Sequence, residues 1–111
     1  MKRASSNRQA RQSSRELEAI KLNLVRIRIL HYASAGKVTA EGILERMRED
    51  SCNIGSAIVK SLLTEMRRSG CLRLTPRRGR KELTATEYQL TASGGRVLTE
   101  AKQHLEQLAA R

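Results

Sequence analysis

"CLRLTPRRGRKELTATEYQLTASGGRVL", residues 71–98, changes its periodicity twice. Leu72 and Leu74 flank Arg73, and Thr84, Thr86, Tyr88 and Leu90 alternate again, the two-residue repeat of a strand with one face buried. Pro76 and Gly79 lie between the two runs, so the segment reads as a β-hairpin with its tip near Arg78. From Ala92 the spacing becomes helical, with Thr91 or Ser93 placed to cap the helix. Leu98, Ala101, Leu105 and Leu108 then follow at alternating steps of three and four residues.

Upstream the pattern is helical throughout. Ser13 with Glu16 has the spacing of a capping box ahead of an apolar run, which predicts a first helix from about Ser14 to Ser34. Leu17, Ile20, Leu24, Ile27 and Leu30 form its stripe, widened by Val25, Ile29 and Tyr32, and Gly36 is placed to stop it. Thr39 can cap a second helix over about 40–49, with Ile43, Leu44 and Met47 inward. "DSCNIG" reads as a turn. A third helix from about Ser56 to Ser69 buries Ile58 or Val59, with Leu62, Leu63 and Met66, and Gly70 supplies a left-handed stop. Three helices, a hairpin and a last helix describe a mainly α winged helix-turn-helix. Residues 1–13 read as a disordered basic arm, 14–91 as the winged helix-turn-helix domain, and 92–111 as a C-terminal dimerisation helix.

The charge is concentrated. Of 111 residues, 22 are Lys or Arg and 11 are Asp or Glu, for a net charge of +11. Lys2, Arg3, Arg8, Arg11 and Arg15 stand in a stretch without acids, and Arg77, Arg78, Arg80 and Lys81 crowd the hairpin tip. Those two segments hold nine of the eleven net charges, which points to a polyanionic partner. On the third helix, Ser56, Lys60, Ser61, Thr64, Arg67 and Arg68 are left outward by the buried set. The serines suit phosphates near a helix N-terminus; Lys60 can reach a guanine edge or a phosphate, and Thr64 a base or a thymine methyl. The Arg78-Gly79-Arg80 core is similar to an AT-hook and suits a narrow minor groove or its phosphate edges.

Other chemistries find little support. His31 and His104 have no partner at catalytic or metal spacing, and Cys52 and Cys71 stand apart from any ligand cluster, so no catalytic residue, metal or cofactor is expected. Two isolated cysteines suit buried thiols in a reducing cytoplasm. No apolar run approaches a membrane span. Tyr32 and Tyr88 are the only aromatics, too few to stack single-stranded bases or to line a drug-sized effector pocket.

The same stretch resembles the wing and following helix of PadR-like winged-helix transcriptional regulators. Tyr88-Gln89-Leu90-Thr91 followed by Gly94 matches the Y-x-L-T-x-x-G pattern that closes their wing. Ile43–Glu49 is similar to their second helix, and Leu62–Leu72 to the end of their recognition helix and its glycine turn. The resemblance covers roughly residues 20–108 and implies transcriptional regulation on a winged-helix fold. The chain is also similar to small archaeal winged-helix chromatin proteins with a C-terminal dimer helix. The expectation is a sequence-specific duplex-DNA-binding regulator, a repressor, acting as a homodimer through Leu98, Ala101, Leu105 and Leu108 in the cytoplasm, on the nucleoid. The alternatives are a non-specific DNA-coating or chromatin protein and a ribosome- or RNA-associated winged helix.

Overall fold

The computed structural model describes residues 2–75 and 86–110, with side chains from Arg11 onward. Helix α1 spans Lys2–Ser34, α2 Ala40–Glu49 and α3 Ser56–Arg68. Strands β1 (Leu72–Leu74) and β2 (Tyr88–Leu90) follow, then α4 (Ala92–Ala109). The helix–helix–helix–hairpin–helix order expected from periodicity is the order observed.

Local signals placed most boundaries. Thr39 caps α2, its Oγ1 accepting from Gly42 N at 3.0 Å. Gly70 closes the turn after α3 with φ +87°, a left-handed conformation costly for any residue with a Cβ. Thr91 caps α4, accepting from Gly94 N at 3.0 Å. The strands pair antiparallel with Leu72 opposite Leu90, Arg73 opposite Gln89 and Leu74 opposite Tyr88. A third segment joins this small sheet: Val38 and Tyr88 exchange both backbone hydrogen bonds, at 3.0 and 2.8 Å. The turn between α1 and α2 thereby anchors the base of the wing.

The start of α1 corrects the sequence reading. The helix begins at Lys2, and Ser13, expected as its cap, lies inside it. No Gly or Pro occurs before Gly36, and once a packed segment has nucleated a helix, Ala- and Arg-rich sequence propagates it at little cost. The apolar stripe also divides. Val25, Ile29, Leu30 and Tyr32 are buried, whereas Leu17, Ile20 and Leu24 are exposed. At 33 residues α1 is about 50 Å long, so its N-terminal half outruns the elements beneath it.

The core joins Ile43 and Met47 of α2, Val59, Leu62, Leu63 and Met66 of α3, Leu72 of β1 and Leu98 of α4 to the buried half of α1. The alternative left open on α3 resolves to Val59, with Ile58 outward. His31 is exposed.

One glycine shows why the wing ends as it does. A Cβ on Gly94 would collide with the carbonyl oxygen of Cys71 and lie 2.8 Å from Leu90 Cδ1. Thr91 Oγ1 stands 2.6 Å from the Gly70 carbonyl oxygen and 3.0 Å from that of Cys71, and Thr91 N donates to Cys71 O at 3.1 Å. The L-T-x-x-G stretch is thus the joint that presses α4 onto the turn after α3.

Candidate nucleic-acid interface

Burying Val59, Leu62, Leu63 and Met66 turns the opposite face of α3 to solvent. Ser56, Lys60, Ser61, Thr64 and Arg67 are all exposed there, as is Arg68. The expected residues therefore share one accessible helix. Gly55 is the N-cap and offers no side-chain hydrogen bond, so the first-turn N–H groups of α3 remain open to an acceptor. With no acid in that turn, the helix dipole favours an anion there.

Two details refine the roles. Thr64 Oγ1 donates to Lys60 O at 3.1 Å, which commits its proton to the helix and leaves a lone pair and the methyl group for an outside partner. No ion pair among the described residues engages Lys60, Arg67 or Arg68. Arg73, unremarked in the sequence except as a polar strand position, is exposed on β1 and adds a cation at the root of the wing. Its signal was the strand alternation itself, which puts it on the face away from the buried Leu72 and the half-buried Leu74.

Arg77, Arg78, Arg80 and Lys81 lie outside the described residues. The described ladder continues to Thr75, whose N–H donates to Glu87 O at 3.0 Å.

Behind α3, side-chain contacts tie α1 to the helix-turn-helix. Tyr32 donates to Asp50 Oδ2 at 2.7 Å and Arg28 reaches the same oxygen at 3.3 Å. The Arg46 guanidinium lies 4.5 Å from the centre of the Tyr32 ring, a cation–π distance. Burial, and then the bond to Asp50, raise the Tyr32 phenol above its ordinary value, so it stays a donor. Long-range pairing of this kind carries no periodic signal in a sequence.

The expected dimer seam divides. Leu98 is buried within the chain, where α4 packs on α1, and Ala101 is half-buried. Leu105 and Leu108 are 40% and 71% exposed, and Val97 beside them 47%.

Among the described residues, no group of His, Cys, Asp and Glu could hold a metal ion, and no helix is long and apolar enough to cross a membrane.

No family model and no curated protein matches the sequence. Solved structures do match the fold. A PadR-like transcription factor from Bacteroides fragilis superposes with a TM-score of 0.76 over 86% of this chain and 93% of that one, at 16% identity. A PadR-family transcriptional regulator from Eggerthella lenta gives 0.71 over 91% and 88%, at 15% identity. Bacillus subtilis PadR in complex with operator DNA gives 0.62 over 69% of this chain and 45% of that longer one, at 18% identity. With α3 on the surface, the hairpin wing behind it and α4 packed back on α1, the chain has the winged-helix fold of the PadR-like transcription regulators.

Proposed function

We propose that the protein is a sequence-specific duplex-DNA-binding transcriptional regulator, a repressor, working in the cytoplasm on nucleoid DNA. One observation carries the reading: the outward face of α3 presents Ser56, Lys60, Ser61, Thr64, Arg67 and Arg68 together, all exposed, beside an uncapped helix N-terminus. A neighbour of the same fold, Bacillus subtilis PadR, has been solved with operator DNA, which supports a duplex as the ligand. In this reading α3 enters the major groove and the wing, with Arg77, Arg78, Arg80 and Lys81, meets the minor groove or its phosphates. Residues 1–13 add charge without sequence choice.

The working unit is a homodimer. Leu105 and Leu108, exposed on α4, form its centre, with Ala101 at the edge. Leu98 serves the protomer's own core, so the interface is shorter than the sequence stripe suggested. The exposed Leu17, Ile20 and Leu24 of α1 supply further apolar surface for a partner copy.

Selection of bound duplexes from a random library tests the function. A regulator enriches one motif and prefers it over random duplex by about a thousandfold or more at physiological salt. Enrichment of no motif would favour a DNA-coating protein, and competition by structured RNA better than by duplex would favour an RNA partner.

A further inference from the structure

The outward side of α3 carries one carboxylate, Glu65. Helical spacing puts it one turn from both Ser61 and Arg68, at the edge nearest α1. An unpartnered carboxylate there would repel an approaching phosphate and compete with it for Arg68. The fold deals with this from another element. Arg26 of α1 donates through Nη2 to Glu65 Oε2 at 2.8 Å and through Nη1 to Asn23 Oδ1 at 2.7 Å, so its guanidinium is held at two points. The pair is well exposed, with side-chain exposures of 37% and 54%, and exposed ion pairs add little to folding stability. Its electrostatic consequence is larger than its structural one: beside three cations, Lys60, Arg67 and Arg68, the single negative charge of α3 is cancelled.

We propose that Arg26 is a positioning residue for DNA binding, which neutralises Glu65 and so keeps Arg68 available to phosphates without itself contacting the duplex. The proposal rests on the duplex-DNA reading of α3.

Rescue is the test. The parent, Arg26→Ala, Glu65→Gln and the double variant are titrated against a fluorescent mixed-sequence duplex of about 30 base pairs, long enough for two half-sites, at low and high KCl, with a thermal melt of each. Arg26→Ala should weaken binding about five- to tenfold at low salt, and the deficit should shrink as salt screens the freed carboxylate. The double variant should return to within about twofold of the parent, because the loss in Arg26→Ala depends on the carboxylate that Glu65→Gln removes, and all four should melt within about 2 °C of one another. Parent-like binding by Arg26→Ala overturns the proposal. So does a double variant as weak as Arg26→Ala, which would make Arg26 a phosphate ligand in its own right. Equal losses of melting temperature in Arg26→Ala and the double variant would reduce the pair to a structural tie. Failure of the parent itself to bind the duplex removes the DNA reading and the proposal with it.

Discussion

Gly94 and Gly95 are neighbours in α4 with opposite prospects. Gly94 faces the carbonyl of Cys71, which is backbone and cannot swing aside, whereas a Cβ on Gly95 meets only Leu90 Cδ2 at 3.9 Å, an ordinary contact. Gly94→Ala should therefore destabilise the protein by about 3 kcal/mol through overpacking, and Gly95→Ala should stabilise it by about 0.5–1 kcal/mol through helix propensity. Urea unfolding of the two variants checks the sign of each; equal effects would mean that α4 is not pressed onto the turn after α3. At the proposed interface the deciding residue is Lys60. If it reads a base edge, Lys60→Ala should change which duplex is preferred, at a cost of about 1–3 kcal/mol on the best site. A uniform loss on all duplexes, measured by the same titrations, would assign it to a phosphate.

Among the elements, α1 has two halves with different tasks. From Val25 onward one face of it is core; before that, every described side chain except the half-buried Leu22 is exposed. Deleting residues 1–12 removes Lys2, Arg3, Arg8 and Arg11, and the described side chains of that stretch, Arg11 and Gln12, are exposed. The logarithmic salt dependence of DNA binding should flatten by at most about 3–4 units per protomer, while the melting temperature stays within about 2 °C, since surface changes are energetically small. Far-ultraviolet circular dichroism should lose helix in proportion, because the segment continues α1. An unchanged salt slope would remove it from the interface. The wing answers to a parallel test. Arg78→Ala with Arg80→Ala should cost roughly 1–3 kcal/mol of DNA affinity if both enter a groove, with a larger loss on A·T-rich flanks; parent-like binding on every duplex would take the wing off the DNA.

The assembly is decided at the scale of the whole molecule. A monomer that leaves Leu105, Leu108 and Val97 on one helix and Leu17, Ile20 and Leu24 on another exposes more large apolar side chains than solubility favours. Leu105→Glu should give a folded monomer by light scattering, whereas Leu98→Ala should unfold more readily by about 2–4 kcal/mol, as cavity-forming core truncations do, and remain a dimer at temperatures where it is folded. A Leu105→Glu variant that stays dimeric would move the interface off α4. With a dimer in place, footprints should show twofold symmetry with half-sites about 10 base pairs apart.

What the amino-acid sequence determined alone was the local grammar. The period-two run around Arg73, the Thr39 and Thr91 caps and the left-handed position at Gly70 each rest on interactions within a few residues, so their pattern survives in one dimension. The outward set on α3 was legible for the same reason: helical spacing sorts Lys60 from Val59 without reference to any neighbour. Tertiary structure decided whatever depends on where a partner element ends. Leu17, Ile20 and Leu24 continue the stripe of Leu30, yet among the described residues nothing covers them, and they are exposed on the protomer. Leu98 belongs to the seam of Leu105 by spacing, yet α1 reaches it first. The same holds for Arg26 and Glu65, 39 positions apart: their ion pair forms because the packing of α1 and α3 on a common core brings the two side chains within reach, and no periodicity within either helix encodes that.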